Sequence, residues 1–120
     1  MNFAVSTELI DEDIAVIDLK GEVDLYTAPE FKQHLLQQLE QGVTKLIIDF
    51  TDTTFIDSTT LGVLVGGVKR LRPLGGQLVL VCSDRNIIKI FEITGLHRVF
   101  DIHATREDAL EAVRAAAAAG

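Results

Sequence analysis

The chain has 120 residues, 48% of them hydrophobic, and a formal net charge of −7. That length holds a single domain, 1–120, with enough apolar material for one core, and the acidic balance excludes the clustered Lys and Arg that nucleic acid or an anionic membrane surface requires. The lone cysteine, Cys82, excludes an intramolecular disulfide framework and fits a reducing compartment, so a cytoplasmic location is expected.

Short apolar runs and period-two alternation at 3–9, 14–19, 45–50, 77–81 and 99–102 predict five strands. The runs at 45–50 and 78–81 are almost continuously apolar, as expected of parallel strands covered on both faces. Helical patterns fill the gaps, and strands alternating with helices define an α/β class. Thr27-Ala28-Pro29-Glu30 reads as a capping box, with Tyr26 stapled against Phe31. Phe31, Leu35, Leu36 and Leu39 then build one apolar face, and Gly42 supplies a left-handed stop. A second helix follows Asp57-Ser58-Thr59-Thr60, with Leu61, Leu64, Val65, Val68 and Leu71 turned inward and Pro73 and Gly75-Gly76 ending it. The apolar run 61–68 inside it is too short to cross a bilayer. A third helix starts near Asp84 with Ser83 as its expected N-cap, buries Ile87, Ile88 and Phe91, and stops at Gly95. Thr105 and Asp108 open the last helix, whose alanine-rich tail, 115–120, is expected to fray.

The hydroxyl cluster is the most informative stretch. At a helix start the first backbone N–H groups are unpaired and the macrodipole is positive, so a phosphate on Ser58 would be well placed there. Asp57, Ser58, Thr59 and Thr60 are also capping residue types, and the two readings are compatible: Asp57 caps while Ser58 points outward. Gly62, Gly66 and Gly67 each weaken the helix by up to about 1 kcal/mol relative to Ala. Either close packing within the monomer or a shallow surface for a partner helix, flanked by Val63, Lys69 and Arg70, compensates. Asp24 precedes Thr27 at a strand end, either beside Ser58 or as a solvated turn carboxylate.

His34, His97 and His103 are dispersed and read as surface residues without metal-ligand spacing; Cys82 reads as a small core residue. The phosphate-loop, nucleophile-elbow and dinucleotide signatures are missing, so no cofactor is expected.

Three stretches together resemble the STAS family, in particular the freestanding bacterial anti-sigma factor antagonists. They are Gly21-Glu22-Val23-Asp24 with Thr27-Ala28, Ile56-Asp57-Ser58-Thr59 with Leu61-Gly62-Val63-Leu64, and Ile93-Thr94-Gly95-Leu96 with Val99-Phe100. Segments 62–70 and 87–96 look like the actinobacterial members. The resemblance implies a mixed central sheet with antiparallel N-terminal strands, backed by about four helices. It implies a binding protein and not an enzyme: the unphosphorylated form binds a cognate anti-sigma serine kinase of the GHKL type, releasing a sigma factor, and a PP2C-type phosphatase reverses phosphorylation. Ser58 matches the acceptor serine. Asp24, Asp57, Thr59, Gly62, Val63, Gly66 and Arg70 fall on the matching partner surface. Thr60 departs from the family's usual glycine, bringing a β-branched side chain and a competing hydroxyl that, with Thr59, is a candidate minor acceptor. Two other roles are compatible with the fold: a STAS scaffold subunit of a larger signalling complex without a sigma factor, and a small hydrolase using Ser58 as nucleophile, for which no histidine has a predictable place.

Overall fold

A computed structural model describes residues 2–119. Its sheet is organised by β2 (Ile14–Val23), which pairs antiparallel with β1 (Phe3–Asp11) along one side. Along its other side two strands follow one another, both parallel to it: β3 (Lys45–Asp49) faces Ile14 to Asp18, and β4 (Thr53–Ile56) faces Gly21 to Val23. Beyond β3 lie β5 (Gln77–Val81) and β6 (Asp101–His103), both parallel, giving the order β1-β2-β3-β5-β6 with β4 off that path. The β2–β4 pairing carries a bulge, since the step from Gly21 to Glu22 faces two steps from Thr53 to Phe55 and leaves Thr54 as the extra residue. Gly21 has a φ of +84°, donates its N–H to Asp52 O, and lies so close to Asn2 O that a Cβ there would approach to 1.8 Å. A side chain is excluded by both conformation and space.

Helices α1 (Ala28–Glu40), α2 (Ser58–Leu71) and α3 (Arg85–Thr94) cover one face of the sheet, and α4 (Arg106–Ala119) covers the other. The strands divide their side chains accordingly. Ile17, Leu19, Leu46, Ile48, Leu78 and Leu80 join Phe31, Leu35, Leu64 and Phe91 in the larger core, while Ile14, Val16, Ile47, Val79 and Val81 meet Ala109 and Val113. Burial on both faces accounts for the unbroken apolar runs of β3 and β5. Phe91 stands between Phe50 and Phe100, with ring centroids 6.3 and 6.1 Å away. Arg106 ties α4 to the sheet: its Nε and Nη2 donate to Asp49 Oδ2 at 3.1 and 3.0 Å, with Asp18 and Glu8 nearby. Burial raises the Asp18 carboxyl, Asp49 adds to the rise, and Arg106 opposes it.

The mixed sheet with antiparallel N-terminal strands and four helices agrees with expectation, and Gly42 and Gly95 adopt the left-handed φ their places required. Several local expectations are corrected. Among the described residues there are six strands and not five, because β4 is too short and too exposed to show alternation. The Thr27 capping box does not form: the Thr27 hydroxyl donates to Glu22 O and accepts from the Asp24 N–H instead. Tyr26 is 77% exposed and staples nothing. Asp84, not Ser83, caps α3, accepting from the N–H groups of Asn86 and Ile87. Val65 and Val68 are half-buried and pack against the larger core, in keeping with their inward orientation. His97 is exposed, but His34 and His103 are half-buried, and His34 Nδ1 shares a hydrogen bond with Thr7 Oγ1. Cys82 is buried, which pushes its thiol upward in pKa. The alanine tail continues α4 as far as Ala119, and Gly120 lies outside the described residues.

Candidate functional site

Asp57 leaves β4 in an extended conformation, with φ −131° and ψ −172°, which aims its carboxylate back over the first turn of α2. One oxygen, Oδ1, accepts from the N–H groups of Thr59 at 3.0 Å and Thr60 at 3.4 Å, and from the Thr59 hydroxyl. The other, Oδ2, accepts from Leu25 N–H at 3.1 Å, in the loop between β2 and α1. A single side chain therefore caps the helix and fastens a second loop to it. That second loop has its own knot: Asp24 Oδ1 accepts from the N–H groups of Tyr26 and Thr27. Asp24 is thus a half-buried structural carboxylate whose loop meets the Ser58 turn through the Leu25 to Asp57 bond.

The three hydroxyls have separate fates. Thr60 is fully buried and donates to Val23 O at 2.6 Å, pinning the first turn of α2 to the end of β2. Thr59 is half-buried and its hydroxyl is committed to Asp57. Ser58 is exposed, and its hydroxyl bonds to nothing among the described residues. Thr59 and Thr60 N–H, two of the donors expected to cradle a phosphate on Ser58, are already taken by Asp57.

Burial works to raise the Asp57 carboxyl, but the hydroxyl and three N–H groups that donate to it together hold it below the ordinary aspartate value. The carboxylate therefore stays ionised beside Ser58 at neutral pH.

Beside this turn, a groove of about 310 Å³ between α1 and α2 is lined by Lys32, Thr59, Gly62, Val63, Gly66, Gly67 and Arg70. The sequence-selected Thr59, Gly62, Val63, Gly66 and Arg70 all lie on it. The glycines differ in role. A Cβ at Gly62 or Gly66 would meet nothing within 4 Å, so monomer packing does not require either glycine. At Gly67 a Cβ would come within 2.9 Å of Leu78 and 3.1 Å of Leu35; this glycine is buried and belongs to the core face, where close packing within the monomer compensates for it. Lys32 was not evident from the sequence, because only the packing of α1 against α2 brings it to the groove.

A family model, that of the STAS domain, matches residues 7–109, and the chain belongs to the STAS domain family. It is 38% identical over 111 residues to the anti-sigma-B factor antagonist of Bacillus subtilis, covering 92% of this chain and 100% of that one. The crystal structure of an anti-sigma factor antagonist from Mycobacterium paratuberculosis superposes with a TM-score of 0.84 at 27% identity, covering 93% of this chain and 94% of that one. The Bacillus cell fate determinant SpoIIAA in its phosphorylated form superposes with a TM-score of 0.74 at 28% identity, covering 92% and 99%.

Replacing Asp57 by Ala is expected to lower stability at pH 7 by about 0.5–2 kcal/mol, the range for a lost cap. Because the folded carboxyl titrates below its unfolded value, the stability it adds is complete above about pH 4 and disappears as pH falls through the folded value. Urea unfolding from pH 7 down to pH 2 should therefore show wild type and variant converging at acid pH; a constant gap would contradict this role.

Proposed function

We propose that this chain is an anti-sigma factor antagonist: its unphosphorylated form binds an anti-sigma serine kinase of the GHKL type through α2 and the groove beside it, and so frees a sigma factor. The observation that carries this reading is the separation of the three hydroxyls. Ser58 alone is exposed and uncommitted, at the shoulder of a groove in which Gly62 and Gly66, unlike Gly67, serve no packing within the monomer. The relatives support it: the Bacillus subtilis protein is named as an antagonist of an anti-sigma-B factor, and SpoIIAA is described in a phosphorylated form.

In the phosphorylation step the Ser58 oxygen attacks the γ-phosphorus of ATP held by the kinase, ADP leaves, and the serine proton passes to a base on the kinase. The product adds a charge of about −1.5 to −2 next to the ionised Asp57, which already occupies two of the helix N–H donors. The new charge is left unabsorbed by the fold and faces the partner, where repulsion and bulk oppose docking. A PP2C-type phosphatase hydrolyses the ester and restores binding. Asp24, Asp57, Thr59, Gly62, Val63, Gly66 and Arg70 form the partner surface, with Asp24 and Asp57 also holding its shape. The protein supplies a hydroxyl to the partner's chemistry and catalyses none itself. The chain acts as one domain in the cytoplasm; among the described residues no helix is long and apolar enough to cross a membrane.

Incubation with the cognate kinase and ATP is expected to attach one phosphate, at Ser58, and Ser58→Ala should remain unmodified; peptide mapping that located phosphate on Thr59 or Thr60 would contradict this assignment. Gly62→Ala with Gly66→Ala should raise stability by about 0.5–1 kcal/mol per site, since helix propensity improves and no clash arises. The same pair should weaken kinase binding. Urea unfolding with calorimetry checks both halves, and unchanged affinity would remove the groove from the interface.

A further inference from the structure

Of the seven large hydrophobic side chains exposed among the described residues, three lie at the Ser58 end of the sheet: Leu25 at 61%, Tyr26 at 77% and Phe55 at 47%. Single exposed hydrophobics are ordinary, but a group beside a modifiable residue is not. All three are carried on fixed backbone. Leu25 N–H is held by Asp57 Oδ2, Tyr26 N–H by Asp24 Oδ1, and Phe55 sits opposite Glu22 in the pairing of β4 with β2. Side chains presented from a rigid frame lose little freedom on docking, and tyrosine is among the residues that dominate binding energy when covered.

The charges on the same segments select the occupant. Glu22 and Glu30 are exposed and Asp24 is half-buried, on a chain whose net charge is −7. A second copy would bring these carboxylates against their own kind, and an anionic membrane would repel them. A protein surface with an apolar pocket bordered by Lys or Arg fits both the hydrophobic and the acidic features. We propose that Leu25, Tyr26 and Phe55 form a hydrophobic rim that inserts into such a pocket on the anti-sigma factor and determines which anti-sigma factor this chain selects, while Ser58 gates the contact. The rim rests on the partner-binding reading of the Ser58 site and adds to it the source of affinity and choice.

The test is calorimetric titration of each purified serine-kinase anti-sigma factor from the source organism with four proteins: wild type, Ser58→Asp, the pair Leu25→Ser with Tyr26→Ser, and Ile93→Ser. The last removes an exposed hydrophobic, 75% accessible, from α3 and serves as a control. Wild type is expected to bind one kinase that Ser58→Asp fails to bind. The rim pair should bind that kinase at least tenfold more weakly, with an unchanged thermal midpoint, and Ile93→Ser should match wild type. Full affinity in the rim pair, together with loss in Ser58→Asp, overturns the rim and leaves the partner reading standing. Binding of wild type to none of the kinases overturns both. Concentration-dependent self-association of wild type, abolished in the rim pair, assigns these residues to a second copy and overturns the proposal.

Discussion

One carboxylate organises this end of the molecule. Asp57 accepts from a hydroxyl and three backbone N–H groups, two of them at the start of α2 and one in the loop after β2. Each donor is an ordinary hydrogen-bonding group whose pairing with water has been exchanged for pairing with a charged acceptor, the stronger type of protein hydrogen bond. The consequence is positional. The helix start, the Asp24 loop and the exposed Ser58 hydroxyl are held in one fixed relation, reinforced from below by the Thr60 bond to Val23 O.

That arrangement shapes what modification of Ser58 can do. A helix N-terminus usually favours an added anion through its free donors and its dipole. Here Asp57 has already engaged two of those donors, so a phosphate on Ser58 would stand beside a carboxylate and not in an empty cradle. Local negative charge is concentrated at the shoulder of the groove, where a docking partner would meet it. The glycines of α2 fit the same picture: Gly62 and Gly66 weaken the helix without serving the monomer's packing, whereas Gly67 is needed for the approach of α2 to Leu35 and Leu78.

Much of this was legible in the sequence where the determining signal is local. The unbroken apolar runs of β3 and β5, the left-handed glycines at 42 and 95, and the Thr105 cap, which accepts from Asp108 N–H, depend only on near neighbours. The features that escaped depend on distant partners. Thr27 looks like a cap, but the Glu22 carbonyl and the Asp24 loop compete for its hydroxyl and win. Thr60 looks like a third exposed hydroxyl until a carbonyl 37 residues earlier claims it. Strand β4 has four residues with adjacent exposed positions, so it carries no period; it is defined only by its pairing with Gly21 to Val23 at the end of β2. The phase of three glycines around one helix was ambiguous by a single position, and only packing separated Gly66 from Gly67.

The most direct measurement is the affinity of the proposed kinase partner for this protein in two forms, unmodified and stoichiometrically phosphorylated at Ser58, by calorimetry under identical salt. With the phosphate placed beside an ionised Asp57 at the proposed contact surface, affinity is expected to fall by at least about a hundredfold, or roughly 2.7 kcal/mol. Equal affinity of the two forms would contradict the switch at Ser58.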